Sequence, residues 1–187
     1  MALSKVDGTN FIAPTIPVAS GGTGATTFSP GKVLQVVSVA KTDTFSTGSN
    51  TFVDVTDLNL AITPAATSSK ILIICDVKLG PDAGVSGVKS RIEQTISASD
   101  TYPYIGDAAG SRTRTSFGNT YVNETGFMAQ DASTVLVSPS TTSEITFTYQ
   151  IAEQAGGTIY VNRNEGDDDN ATQGRAASSL TAIEIGV

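Results

Sequence analysis

Ile145-Thr146-Phe147-Thr148-Tyr149-Gln150-Ile151 alternates apolar and polar side chains without a break. A period of two puts Ile145, Phe147, Tyr149 and Ile151 on one side of an extended chain and Thr146, Thr148 and Gln150 on the other. That is the pattern of a half-buried β-strand, and its β-branched and aromatic residues suit a pleated surface.

Moving outward, similar segments recur at short intervals. Val33 to Ala40 is apolar on both sides in its first half, as in a strand between two packed layers. Thr51 to Val55 forms a second strand, and Leu58, Leu60 and Ile62 form one face of a third that stops at Pro64. Lys70 to Val77 is the most apolar and reads as central. Val88 to Ile96 sets Val88, Ser90, Ile92 and Gln94 on one side. Thr115 to Val122, Phe127 to Val137, Thr158 to Asn162 and Ser179 to Ile185 complete the set. No segment holds apolar residues every three to four positions over a helical length. Nine or ten short strands predict an all-β chain, an antiparallel β-sandwich over residues 31–187. The strand count favours a jelly roll, and an immunoglobulin-like topology stays open.

Composition narrows the function. The chain has 187 residues, 39% hydrophobic and 16% charged, with a net charge of -7. Serine and threonine make up about a quarter of it, well above ordinary usage. An acidic surface repels phosphate backbones, so nucleic acid is not expected as a partner. The longest apolar run, Ile71 to Cys75, is far short of the ~20 residues that cross a bilayer, so no membrane insertion is expected. No basic segment followed by an apolar one opens the sequence, and Sec export is not expected. Histidine is absent, which removes Ser-His-Asp and Cys-His machinery and histidine-bound zinc. The single cysteine, Cys75, reads as a small buried hydrophobe.

Residues 1–30 are dense in breakers and read as an extended arm with a connector, Pro17-Val18-Ala19-Ser20-Gly21-Gly22-Thr23-Gly24-Ala25-Thr26-Thr27. Phe11, Ile12, Ile16 and Val18 are its few apolar anchors, suited to docking on another subunit. Gly22-Thr23-Gly24 fails the dinucleotide fingerprint, because Thr27 stands at the third glycine and a strand follows instead of preceding.

Two clusters invite chemistry. Asp167, Asp168 and Asp169 form the densest acidic run, and oxygen-rich loops can hold calcium. The EF-loop spacing is missing, since Ala171 and Thr172 occupy positions that need an oxygen ligand and a glycine, so a solvated hairpin tip is preferred. Arg112 and Arg114, two apart, would share a strand face and could clamp a carboxylate or sulfate of a glycan, or else pair with aspartates. Tyr102 and Tyr104 flank Pro103 and either offer rings to a sugar or mark a protected edge strand. No catalytic residue and no cofactor are expected. A carboxylate-dependent glycan depolymerase would need two acids about 5 to 9.5 Å apart in a groove, whereas the acids fall mostly in turns.

The connector, Gly31-Lys32-Val33-Leu34-Gln35-Val36-Val37, Lys41-Thr42-Asp43-Thr44-Phe45-Ser46-Thr47 and Thr67-Ser68-Ser69-Lys70-Ile71-Leu72-Ile73 resemble blocks of tail-fibre and appendage proteins of tailed bacteriophages. Ile105-Gly106-Asp107-Ala108-Ala109-Gly110-Ser111-Arg112 and Gly156-Gly157-Thr158-Ile159-Tyr160-Val161-Asn162-Arg163 look like the same module, so the likeness covers residues 17–187. The resemblance implies a non-enzymatic virion structural protein made in the bacterial cytoplasm. It implies a homotrimer, joined to other virion proteins through its arm and displaying its sandwich to a host surface glycan. A capsid decoration protein is the alternative. Segments 80–87, 106–112 and 164–174 are the expected exposed tips.

Overall fold

In a computed structural model of the chain, the described residues are 32–82, 87–120 and 126–186. Their regular elements are all strands: β1 Lys32–Lys41, β2 Phe45–Thr47, β3 Val53–Ile62, β4 Lys70–Pro81, β5 Val88–Ile96, β6 Ser99–Thr101, β7 Asn119–Thr120, β8 Ala129–Val137, β9 Ile145–Glu153, β10 Ile159–Val161 and β11 Ser178–Gly186. The arm and its anchors Phe11, Ile12, Ile16 and Val18 lie outside the described residues, as do residues 83–86 and 121–125.

Pairing sorts the strands into two sheets, ordered β1-β11-β4-β10-β2 with β8 on β4, and β3-β9-β5-β6 with β7 on β5. β8 covers Ile71 to Leu79 of β4. β11 and β10 must therefore share the other edge, β11 along Lys70 to Asp76 and β10 along Leu79 to Pro81. β1 and β2 flank them in the same way, as do β6 and β7 on β5. If each interrupted strand is taken as one, the described residues form eight. The first, eighth, third and sixth make one sheet, and the second, seventh, fourth and fifth make the other. That order is a jelly roll, which settles the choice the sequence left open.

The core lies between the sheets. β4 contributes Ile71, Ile73, Cys75, Val77 and Leu79, β9 contributes Ile145, Phe147, Tyr149 and Ile151, and all are buried. Each such aliphatic or aromatic side chain stabilises the fold by roughly 1.5–3 kcal/mol relative to exposure. The anticipated face of β5 holds, with Val88, Ser90, Ile92 and Gln94 all buried.

Several expectations are corrected. The two strands foreseen in residues 51–62 are one strand, β3, whose register with β9 slips between Asp54 and Asn59. Asp57 takes a positive φ of 61° in that bulge. β9 is not half-buried: Thr148, Gln150, Ala152 and Glu153 are buried as well. It is an inner strand of its sheet, between β3 and β5, and Asp54, Arg91 and Glu93 close over Gln150 through side-chain hydrogen bonds of 2.7–3.0 Å. β1 does not lie between layers: Val33, Leu34 and Val36 are exposed on it. No long strand forms over residues 115–120, where only the two residues of β7 pair. The acidic segment is not a hairpin tip either, because β10 and β11 lie end to end along β4 and residues 162–177 loop out between them.

Asn162 closes that loop. It is fully buried at φ 63°. Its Nδ2 donates to the carbonyls of Lys41 and Asp43, both at 2.8 Å, bridging the break between β1 and β2. Its Oδ1 accepts from Ser178 Oγ at 2.6 Å, where the chain re-enters the sheet. Gly80 lets the loop approach, since a Cβ there would lie 2.2 Å from the Arg163 carbonyl oxygen.

Candidate functional site

The long connection from β6 to β7 is the most elaborate surface feature of the second sheet. Ser116 pins it to β5: its amide donates to the Ser90 carbonyl at 3.0 Å and its Oγ accepts from the Ile92 amide at 3.1 Å. Phe117 then stacks on Tyr149, with ring centroids 6.1 Å apart and planes 11° apart. Further out, the Gly106 amide bonds the Thr115 carbonyl at 3.0 Å, and Arg114 Nε donates to the Gly106 carbonyl at 2.5 Å.

This folding separates the four residues anticipated as ligand contacts. Arg114 stays exposed but braces its own loop through the Gly106 carbonyl. Tyr102 is also committed. The Arg91 guanidinium lies between its ring at 3.8 Å and that of Phe52 at 4.0 Å, and donates to the Tyr102 hydroxyl at 2.9 Å. Burial pushes the Tyr102 hydroxyl pKa up against the pull of Arg91. Arg112 and Tyr104 remain available. Arg112 lines an open cavity of about 440 Å³ together with Lys89, Thr113, Thr115, Gly118 and Gln154. Tyr104, half exposed, lines an adjoining cavity of about 290 Å³ in which Thr115 is again a wall. Among the described residues, neither Lys89 nor Arg112 takes part in an ion pair.

The acidic loop is organised by its own side chains. Asp167 receives both Arg175 Nε at 2.6 Å and Arg175 NH2 at 2.7 Å, with Arg163 at 3.8 Å. Asp168 accepts from Gln173 Nε2 at 3.3 Å, and Asn170 Oδ1 caps the Thr172 amide at 3.0 Å. Asp167, Asp168, Asp169, Asn170, Gln173 and Arg175 line an open cavity of about 350 Å³. Among the described residues, no group of three or more Cys, Asp or Glu side chains is placed to hold a metal ion.

One polar cluster escaped the sequence reading. Asp131 of β8 is buried between the sheets, and its Oδ2 accepts from Ser90 Oγ at 2.5 Å and from the Tyr149 hydroxyl at 2.6 Å. Burial pushes the Tyr149 hydroxyl far up, and the neighbouring carboxylate adds to the shift. Cys75, buried as anticipated, has its thiol pushed up to about 12 by burial and by the negative charge of Asp131. The cluster ties β8 of one sheet to β5 and β9 of the other. Ser90 at a core position was the available signal, but its partner depends on strand pairing that local periodicity does not encode.

Glu184 anchors a corner in a similar way. Its two oxygens accept from Gln35 Nε2 at 2.6 Å and from the Ala65 amide at 2.7 Å. Burial pushes its pKa up. The Ser69 hydroxyl, which faces it without reaching good hydrogen-bond geometry, and these two donors outweigh that effect and leave the pKa below its usual value.

No protein-family model matches the chain. No curated protein matches it either. Among solved structures it is similar to the infectious bursal disease virus T13 particle protein, at 11% identity and a TM-score of 0.43, over 85% of this chain and 38% of that one. A mutant VP2 protein of the same virus, in T=1 particles, gives 12% identity and a TM-score of 0.40, over 80% of this chain and 36% of that one. The chain thus spans less than two fifths of those proteins. Similarity of this order carries no inference about function.

Proposed function

We propose that the chain is a virion structural subunit of a tailed bacteriophage, a tail-fibre or tail-appendage protein that displays its jelly roll for host attachment. The sequence blocks that resemble those of such proteins motivate this reading. The observation that carries the attachment role is the pair of cations, Lys89 and Arg112, facing an open cavity on a chain of net charge -7. Arg112 can take a carboxylate or sulfate with two parallel N–H donors, and Lys89 adds a second positive charge. Thr113, Thr115 and Gln154 supply neutral hydrogen-bonding groups, and Tyr104 presents an aromatic ring next door. The ligand class that fits is an acidic saccharide of the host surface, bound without chemical change.

Single contacts of this kind are weak. Several copies held together, in a homotrimer whose residues 1–30 face the particle, would gain strength by effective concentration alone. The test is adsorption of the phage to its host in the presence of excess purified chain. The intact chain should compete, and Arg112→Ala or Lys89→Ala should compete poorly while folding normally. Equal competition by the variants, or none by the intact chain, would remove the attachment role.

A further inference from the structure

The outward faces of the two sheets differ in kind. That of β9 and β5 is polar, with Thr146, Thr148, Gln150, Arg91 and Glu93. That of the other sheet carries an apolar band. Register sets Ile183 of β11 opposite Leu72 of β4, and Leu72 opposite Leu136 of β8. On β1, Ser38 Oγ meets Thr181 Oγ1 at 2.7 Å and Leu34 lies against Gly186, so Val36 falls beside Ile183. One row therefore runs Val36, Ile183, Leu72, Leu136 across all four strands, with Leu34 and Ile74 on either side of it. Val36 is 57% exposed, Leu136 54%, Leu34 43% and Ile74 37%.

We propose that this face is where copies of the chain bind one another. The inference rests on the reading of the chain as a subunit of a multimer, and three observations favour a second copy as the occupant. The first is size. Four strands about 4.8 Å apart, with a band some 20 Å long, give about 400 Å² of surface that is more than half apolar, the scale of a functional patch on a monomer. Ser38, Thr181 and Thr134 share the Ile74 row on one side and Lys70 lies opposite Ile185 on the other, so polar groups edge the band at both ends, and the whole face approaches the roughly 800 Å² that each partner of a stable complex buries.

The second is charge. Acidic copies repel wherever carboxylate meets carboxylate, yet this band holds no Asp or Glu. The nearest acid on β4, Asp76, is neutralised by Lys78. The third is the edge. β1 is a ten-residue edge strand charged only at its ends, by Lys32 and the buried Lys41, so residues 33–40 lack the charges or proline that normally guard an open edge. A second copy laid over the band would shield that edge as well.

Sedimentation of the full-length chain tests the proposal. The intact protein should be a defined oligomer. Val36→Lys and Leu136→Lys should each weaken self-association by about a hundredfold or more, because they leave a charge unpaired in the contact. Val36→Thr, which keeps the side-chain shape, and Leu136→Thr, which shortens it, should each weaken it about tenfold and serve if the lysine variants misfold. Ala61→Lys, on the opposite sheet, should leave it unchanged. An intact chain that stays monomeric overturns the proposal, and so does an oligomer indifferent to all four substitutions; either result would point to a different occupant. An oligomer formed through this face by a chain absent from virions would sink the virion reading and leave the face standing, and a virion protein that is monomeric in solution would do the reverse.

Discussion

Replacing Asn162 by alanine should be among the most damaging substitutions possible in this chain. The side chain makes two buried hydrogen bonds, to the Lys41 carbonyl and from Ser178 Oγ, and a part-buried one to the Asp43 carbonyl. Each contributes about 1 kcal/mol net, and the buried Lys41 carbonyl is left short of a donor when the side chain is removed. Alanine must also hold φ near 63°, which asparagine tolerates better because its polar side chain bonds locally, a difference of about 0.5–1 kcal/mol. The loss should total about 3.5–4 kcal/mol, or roughly 7–16 °C in melting temperature for a domain of this size. Asn162→Gly relieves the backbone cost without restoring the bonds, so it should recover about 1 kcal/mol. Urea unfolding followed by far-UV circular dichroism measures both, since the chain has no tryptophan to report by fluorescence. A loss below about 1.5 kcal/mol, or a glycine variant no better than alanine, would refute the view that Asn162 joins the broken strands.

Other substitutions probe separate links. Gly80→Ala places a methyl group against the Arg163 carbonyl and should displace the base of the 162–177 loop, seen as faster hydrogen exchange there than in β5. Glu184, whose pKa is lowered in the folded chain, contributes stability that is present above its ordinary value of 4.5 and is lost as pH falls through the folded value. The urea midpoint should therefore drop on acidification below that pH, and Glu184→Gln should flatten the drop while lowering stability at neutral pH. Cys75, with a pKa pushed up to about 12, should be inert to thiol reagents at pH 8 and should react once urea unfolds the chain. Rapid labelling of the folded protein would contradict the buried placement.

Much of the fold is legible in the sequence because β-structure writes itself as alternation. β4, β5, β8 and β11 fall close to where apolar residues repeat every second position, and Cys75 sits in the core as its neighbours demand. What periodicity misses depends on partners distant in the chain. Gln150 looks solvent-facing until Arg91, Asp54 and Glu93 close over it. Val36 reads as core because it is apolar, yet it stands 57% exposed on the outward face of its sheet. The ligand residues divide on the same principle. Tyr102 and Arg114 are captured by Arg91 and by Gly106, and loop closure of that kind leaves no mark in residue spacing. Lys89 was overlooked because it lies far along the chain from Arg112, and only the fold brings the two to one cavity.

Immunogold labelling of intact phage particles, with an antibody raised against the purified chain, tests the central claim most directly. The account predicts gold on the tail or its appendages at a regular copy number. Gold over the head would instead mark a capsid decoration protein, and unlabelled particles would contradict a virion role altogether.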